Sequence, residues 1–314
     1  MEHLPSDERR VYNAWLKSLS SENTRRAYNQ AMNDLLNSCQ SNSLVSITRE
    51  SIDTWMSAMR GRGLSLPTAS QRISAVSAFY RYAEQTYSST FTGNPTTAAR
   101  RPKVNPYGKS NYLAVDEVKA LLSSIDRRTK QGRRDYALIL GYIFTGRRNS
   151  EWRTLRWGDI QIKGDRIFYR WSGKGKTDVL AELPKPVWDA ILSMLALDGR
   201  DRTIQHGEYL FCPFAPGPRR GSEAHWDTSK AVSARSMLTL VKHYCRKSGL
   251  NAEMVRVHVL RHSAAMLRKE AGDDIEKICA FLAQGNISVT QIYLHAVEGN
   301  QDNSWQTVAQ MLCV

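Results

Sequence analysis

The segment from Gln284 to His295 reads Gln-Gly-Asn-Ile-Ser-Val-Thr-Gln-Ile-Tyr-Leu-His, and three basic clusters upstream are arranged as if to serve a phosphate at its tyrosine. By itself the segment is amphipathic, with Asn286 and Ser288 as candidate N-caps, so Tyr293 is expected on a short helix. A tyrosine phenol has an ordinary pKa of about 10 and becomes a nucleophile only where cations stabilise its phenolate. Taken alone, any one of the 13 tyrosines would be interpreted as a core or interface residue.

The composition indicates a globular protein with a polyanionic partner. The 314 residues include 44 Lys and Arg against 30 Asp and Glu, a net charge of +14. Such an excess favours nucleic acid, because each neutralised phosphate releases condensed counterions. The longest apolar run, from Tyr136 to Phe144, is far shorter than the roughly 20 residues of a membrane span, and no secretory signal is visible. We therefore expect a cytoplasmic, DNA-associated protein without a membrane partner, whose five scattered cysteines stay reduced.

The first hundred residues show helical periodicity without strand patterns. Helices are predicted from Asp7 to Leu19, after Ser21, after Thr48 and from Leu66 onward, with Ser21 and Thr48 as N-caps. Between residues 86 and 111 the periodicity gives way to Ser, Thr, Gly, Asn and Pro. This pattern predicts a helical domain at 1–99, a basic linker at 100–111 and a second domain at 112–314.

The second domain is predicted to be mainly helical with a small antiparallel sheet. Helical patterns begin at Val115 and run again over 135–144, the most apolar helix. Three strand-like stretches follow at 159–162, 166–171 and 179–183, separated by glycine turns. The remainder, apart from a Pro- and Gly-rich loop at 212–221, is predicted to be helical.

Two clusters in this domain offer cations. Thr-Gly-Arg-Arg-Asn-Ser-Glu occupies residues 145–151, where Arg148 can hold two phosphate oxygens beside a helix N-terminus and Glu151 can orient a basic neighbour. Taken by itself, that cluster is better explained as a helix-capping box with two surface arginines. Ser-Gly-Lys-Gly-Lys-Thr at 172–177 resembles the end of a nucleotide-binding loop, but Arg170 stands where the first glycine is required. What remains is Lys174 at a β-turn tip, either solvent-exposed or able to deliver a proton.

A third cluster reads His-Val-Leu-Arg-His at 258–262. Its spacing places His258 and Arg261 on one helical face, with His262 one turn after His258. The two histidines do not predict a zinc site, because Val259 occupies the glutamate position of the zinc motif and no third ligand is evident. A neutral imidazole beside a guanidinium is better suited to phosphate binding and acid–base chemistry.

Together and in this order, the clusters resemble the tyrosine recombinase, or phage integrase, family. The family pattern T-G-x-R-x-S-E, a G-K-G hairpin, H-x-L-R-H and a later tyrosine matches, position by position, the catalytic candidates Arg148, Lys174, His258, Arg261 and Tyr293, with Glu151 and His262 as supporting residues. There are two departures. The family's L-G-H triplet is Leu282-Ala283-Gln284, so Gln284 takes the place of a histidine or tryptophan, and Arg147 stands where the family often has an apolar residue. Gln284 can still donate a hydrogen bond to phosphate but cannot carry charge.

The resemblance implies cleavage and rejoining of double-stranded DNA through a 3′-phosphotyrosyl link, without metal, ATP or another cofactor. It further implies a helical core-binding domain that clamps DNA, a homotetramer on paired sites, and a tail helix at about 304–313 that docks on a neighbouring subunit or packs on its own domain. Candidate DNA contacts are basic residues of the helical domain and linker: Arg25, Arg26, Arg62, Arg72, Arg81, Arg100, Arg101 and Lys103. Two other functions stay open: an accessory DNA-binding protein with impaired cleavage, suggested by Gln284, and a related type IB topoisomerase or transposase.

Overall fold

The computed structural model describes residues 3–99, 112–172, 178–215, 225–253 and 255–283. The chain forms two compact units, Met1–Pro106 and Tyr107–Val314. The predicted linker and the segments that contain Lys174, Gln284 and Tyr293 lie outside the described residues.

The described part of the first unit, residues 3–99, contains four helices. They are α1 (Ser6–Ser18), α2 (Glu22–Cys39), α3 (Arg49–Gly61) and α4 (Leu66–Thr86). The two predicted N-caps are present, because the Ser21 side chain accepts from the Thr24 amide and the Thr48 side chain accepts from the Ser51 amide. Each cap satisfies a backbone N–H that has no partner inside its helix.

Aromatic side chains fill the core between these helices. The Trp15 ring stacks on Tyr28 with ring centroids 5.6 Å apart, and it meets Phe79 edge-on at 5.3 Å. One carboxylate is buried at the rim of this core: Glu8 accepts from the Ser43 hydroxyl at 2.7 Å and from the Leu44 amide. Those bonds attach the α2–α3 connection to α1, because a buried carboxylate is costly unless its oxygens are hydrogen-bonded.

The second unit contains all the other helices and strands of the described residues. Its helices are α5 (Val115–Ser123), α6 (Lys130–Thr145), α7 (Asn149–Arg153), α8 (Lys185–Leu197), α9 (Ala234–Lys247), α10 (Val257–Glu270) and α11 (Ile275–Leu282), with a short 3-10 turn at Trp157–Asp159. The strands are β1 (Ile160–Lys163), β2 (Arg166–Ser172), β3 (Asp178–Glu182), β4 (Phe214–Ala215) and β5 (His225–Trp226).

Helix α6 is the centre of the second core. Ala137, Leu138 and Ile139 on it are fully buried, and the helix packs against α8 and α10. Gly141 lets the buried Trp152 of α7 lie directly against the α6 backbone, since a Cβ there would overlap the indole ring. The Trp152 indole N–H donates to the Leu138 carbonyl at 3.0 Å. These contacts fix α7 on α6, and the polypeptide between the two helices is held at both ends.

The predicted three-stranded sheet is present, antiparallel and in the order β1-β2-β3. Cross-strand pairing puts Tyr169 and Trp171 of β2 on the face that packs into the core, and both are buried. The pair β4–β5 forms a separate two-stranded ribbon that the sequence did not predict. Each of its strands is two residues long, too short to show a period-2 pattern.

The predicted fold class, mainly α with a small antiparallel sheet, is confirmed. Within the residues described, none of the helices is long and apolar enough to span a membrane.

Candidate active site

The backbone between α6 and α7 forms the floor of the site. Helix α6 ends at Thr145, and Gly146 follows in the left-handed conformation with φ of +59°. A Cβ at Gly146 would lie 2.7 Å from Cε1 of Phe281 and 2.9 Å from Cδ2 of Leu282. Glycine is therefore required at this position for two reasons: the left-handed backbone conformation and the close approach of α11.

Arg148 begins α7 as its N-cap, and its orientation is fixed by Glu151. Nη1 of Arg148 lies 2.8 Å from Oε1 of Glu151, while Oε2 accepts from the Arg148 backbone amide at 2.8 Å. The Arg148 side chain is 35% exposed and that of Glu151 is 7% exposed. Glu151 thus caps the helix and orients Arg148 with the same carboxylate, and of the guanidinium nitrogens only Nη1 is bonded to it.

Arg261 approaches the same backbone from α10. Its side chain is 2% exposed, Nη1 donates to the Gly146 carbonyl at 2.5 Å, and Nη2 donates to the Leu282 carbonyl at 2.8 Å. These bonds join residues that are 115 and 21 positions apart in the chain. The fold thereby brings Arg261 beside the stretch that carries Arg148.

Two histidines of α10 lie next to these guanidiniums. Burial lowers the pKa of His258 from its ordinary value, and the charges of Arg261 and Arg148 lower it further. Burial, His258 and Arg261 lower the pKa of His262 to about 4. The two rings meet at right angles with centroids 4.9 Å apart. The lowered pKa values favour the neutral form of both imidazoles at pH 7, and an imidazole must be neutral to accept a proton.

The structure brings together Arg148, Glu151, His258, Arg261 and His262 of the predicted site. Lys174, Gln284 and Tyr293 lie outside the described residues, as do Arg100, Arg101 and Lys103 of the predicted DNA contacts.

Two of the predicted DNA-contacting arginines of the first unit share one carboxylate. Arg62 and Arg72 each place a guanidinium nitrogen 2.7 Å from the carboxylate of Asp34, which also accepts from the Trp55 indole at 2.7 Å. Arg72 is only 15% exposed and Arg62 is 45% exposed. Asp34 was missed in the sequence, because a single acid on an amphipathic helix shows nothing of partners 28 and 38 residues away.

The other three predicted arginines of that unit lie away from Asp34. Arg25 and Arg26 both lie within 4 Å of Glu22, and the Arg25 Nε donates to the Leu19 carbonyl at 2.8 Å. Arg81 is exposed. A surface ion pair contributes only about 0–1 kcal/mol, so DNA phosphates can compete for Arg26 at little cost.

Arg147 was noted in the sequence as unusual, and its surroundings distinguish it from a surface arginine. It is 5% exposed, and its guanidinium carbon lies 4.5 Å from the centre of the Trp171 ring. Nothing local in the sequence predicts this burial, because Trp171 and the other groups around it come from β2 and α11.

Models of known protein families match two parts of the chain. The model of the phage integrase family matches residues 111–299, more than half of the chain. The chain belongs to the phage integrase family. A second model, the N-terminal SAM-like domain of phage integrases, matches residues 13–86 and so covers most of the four-helix unit.

Individual relatives agree with this assignment. The chain is similar to the tyrosine recombinase XerC of Caldanaerobacter subterraneus subsp. tengcongensis, with 28% identity over 230 residues. The match covers 73% of this chain and 59% of that relative, so the chain spans less than two thirds of its length.

Two solved structures share the fold. The XerH site-specific recombinase bound to a palindromic difH substrate has a TM-score of 0.69 at 21% identity, covering 92% of this chain and 79% of XerH. A lambda integrase tetramer bound to a Holliday junction has a TM-score of 0.66 at 16% identity, covering 93% of this chain and 78% of lambda integrase.

Proposed function

We propose that the protein is a site-specific tyrosine recombinase that cleaves and rejoins double-stranded DNA through a 3′-phosphotyrosyl intermediate. The observation that carries the proposal is the convergence of Arg148, Arg261 and a neutral His258 around the α6–α7 junction. Family membership and the net charge of +14 support the same reaction and a DNA substrate.

In the proposed cleavage step, the Tyr293 phenol oxygen attacks the scissile phosphorus. A bond from the tyrosine oxygen to phosphorus forms, and the bond from phosphorus to the 5′-oxygen breaks. His258 takes the phenol proton, and Lys174 protonates the departing 5′-oxygen. The reverse reaction uses a 5′-hydroxyl of another strand, so one phosphodiester is exchanged for another. No ATP is required, because the covalent link conserves the bond energy.

In this proposal, the positive charges of Arg148 and Arg261 bind the scissile phosphate. In phosphoryl transfer the transition state spreads charge over the non-bridging oxygens, and preorganised guanidiniums stabilise that charge without a metal ion. Glu151 contributes by holding Arg148 in one orientation, with both carboxylate oxygens engaged. Gln284 would add one neutral hydrogen bond in place of a cationic donor.

Recombination further requires two DNA sites and several subunits. We propose a homotetramer in which the segment after Tyr293, with its predicted tail helix, docks on a neighbouring subunit. The tetrameric form of lambda integrase on a Holliday junction supports this assembly as a property of the shared fold.

A suicide DNA substrate tests the proposed function. A duplex is nicked close to the cleavage site so that a short fragment diffuses away after cleavage and traps the covalent complex. Any inverted repeats found in the DNA that flanks the gene supply the sites to test. The expected result is a protein–DNA adduct that survives denaturing electrophoresis and EDTA and that is lost in Tyr293→Phe, whose DNA binding is unchanged.

The alternatives give different results in the same experiment. An accessory DNA-binding protein binds the site but gives no adduct with the wild-type chain, which would refute the enzyme proposal. A type IB topoisomerase forms the adduct and relaxes supercoiled plasmid without exchanging strands between two sites. Recombinant product joining two labelled sites supports the recombinase.

A further inference from the structure

Two guanidiniums connect the ends of helices α6 and α11. Arg261 donates to the carbonyls of Gly146 and Leu282, as described above. Arg147 donates from Nε to the Thr145 carbonyl at 2.9 Å and from Nη2 to the Phe281 carbonyl. Two consecutive carbonyls at the end of α6 are thus joined to two consecutive carbonyls at the end of α11.

The C-terminal ends of both helices have carbonyl groups that require hydrogen-bond donors from outside the helix. The last carbonyls of an α-helix lack partners within the helix, and the negative end of the helix dipole lies there. A guanidinium has five donors in a rigid plane and can serve two such ends at once, which a lysine ammonium cannot do with fixed geometry. Arg147 and Arg261 therefore form a double clamp between α6 and α11.

Arg147 is the member of the clamp that lies against aromatic rings. It is 5% exposed, stacks 4.5 Å from the Trp171 ring and lies 6.0 Å from the Phe281 ring. Burial lowers the pKa of the Arg147 guanidinium, because taking a charge out of water is costly, and Tyr169 and Glu151 offset only part of that effect. A cation retained at such cost indicates a specific function for its hydrogen bonds.

We propose that Arg147 is a positioning residue, which keeps the ends of α6 and α11 in register so that Arg148 and Arg261 meet the scissile phosphate. The proposal rests on the proposed recombinase function. When phosphate oxygens engage the donors of Arg261, Arg147 preserves the connection between Thr145 and Phe281. Arg147 acts through its neighbours and does not contact the substrate.

Single-turnover cleavage of the suicide substrate at saturating DNA tests this role. Arg147→Met keeps an unbranched side chain against Trp171 and removes both hydrogen bonds. We expect a cleavage rate reduced by about tenfold, the lower end of what loss of precise positioning costs, with an unchanged Kd for DNA and an unchanged fraction of active protein. The reaction amplitude measures that fraction, so a rate defect at full amplitude separates positioning from folding.

Two further variants sharpen the result. Arg147→Lys retains the charge but cannot serve both carbonyls, so we expect it to be as slow as Arg147→Met. Arg268→Met is the matched control, because Arg268 lies 4.5 Å from the Phe281 ring, is 46% exposed and pairs with Asp273 rather than with a helix end. Its cleavage rate should stay within about twofold of wild type.

Several outcomes would overturn the proposal. If Arg147→Met cleaves at the wild-type rate, the clamp is dispensable. If Arg147→Lys cleaves at the wild-type rate, only the charge at this position matters. If these variants show a reduced reaction amplitude with a normal cleavage rate, Arg147 contributes only to folding. If the wild-type chain itself forms no adduct, the recombinase proposal fails first, and that result is distinguishable from all of these.

Discussion

Replacing Gly146 by alanine should destabilise the second unit and shift the α6–α7 backbone that carries Arg148. The left-handed backbone at Gly146 costs an L-residue about 1–2 kcal/mol. The new methyl group would also lie 2.7 Å from Cε1 of Phe281 and 2.9 Å from Cδ2 of Leu282, and overpacking of this kind costs roughly 1–3 kcal/mol. The expected total is about 2–5 kcal/mol in the free energy of unfolding.

Gly164 supplies the control for the backbone contribution. It has φ of +61° in the β1–β2 turn, and a Cβ there would meet no atom within 4 Å. Gly164→Ala should therefore cost only the backbone part, about 1–2 kcal/mol. Urea unfolding of both variants, followed through the tryptophan fluorescence of the second unit, measures the difference. Equal destabilisation by the two substitutions would refute the close approach of α11 to Gly146.

Two further perturbations probe buried charges. Asp34→Asn should destabilise the first unit by about 2–4 kcal/mol in thermal unfolding, because the amide lacks the negative charge and one of the two acceptor oxygens that Arg62, Arg72 and Trp55 share. Asp53→Asn, in an exposed pair with Arg49, should cost under about 1 kcal/mol. Similar losses in the two variants would refute the role of Asp34 as a shared acceptor. His262 has a pKa lowered to about 4, so the fold favours its neutral form: its contribution is complete above the ordinary pKa of 6.5 and is lost as the pH falls towards 4. Between about pH 7.5 and pH 5, wild type should lose about 2 kcal/mol more unfolding free energy than His262→Gln, and an identical pH dependence in the two proteins would contradict this environment.

The sequence predicted those features of the fold that are encoded locally. The N-caps Ser21 and Thr48 were correct, since a cap depends on residues within one helical turn. The three strands were placed within a residue or two of their observed bounds, because their alternation and their glycine turns lie in the strands themselves. Helix α6 begins earlier than the predicted residue 135, at Lys130, because its first turn is polar and is capped by Thr129. An apolar stripe shows only the part of a helix that faces the core.

The site was predictable to the extent that it follows a family pattern, and it was not predictable where it depends on long-range packing. The resemblance named Arg148, His258 and Arg261, and the structure brings these three together. The burial of Arg147 and the use of Asp34 as a shared acceptor depend on partners from other elements. The sequence around a charged residue does not show which aromatic rings or carbonyl groups from other elements will contact it.

The same cations also account for the protonation state that the proposed mechanism needs. Arg261 and Arg148 lower the pKa of His258 in addition to burial, so the free site holds a neutral imidazole at pH 7. A bound phosphate brings negative charge to that position, and a neighbouring anion raises the pKa of a histidine. Binding of DNA would therefore make His258 more basic at the moment when the Tyr293 proton must be removed. An imidazole that is already charged in the free protein could not accept this proton, so the depressed pKa and the paired arginines belong to one electrostatic arrangement.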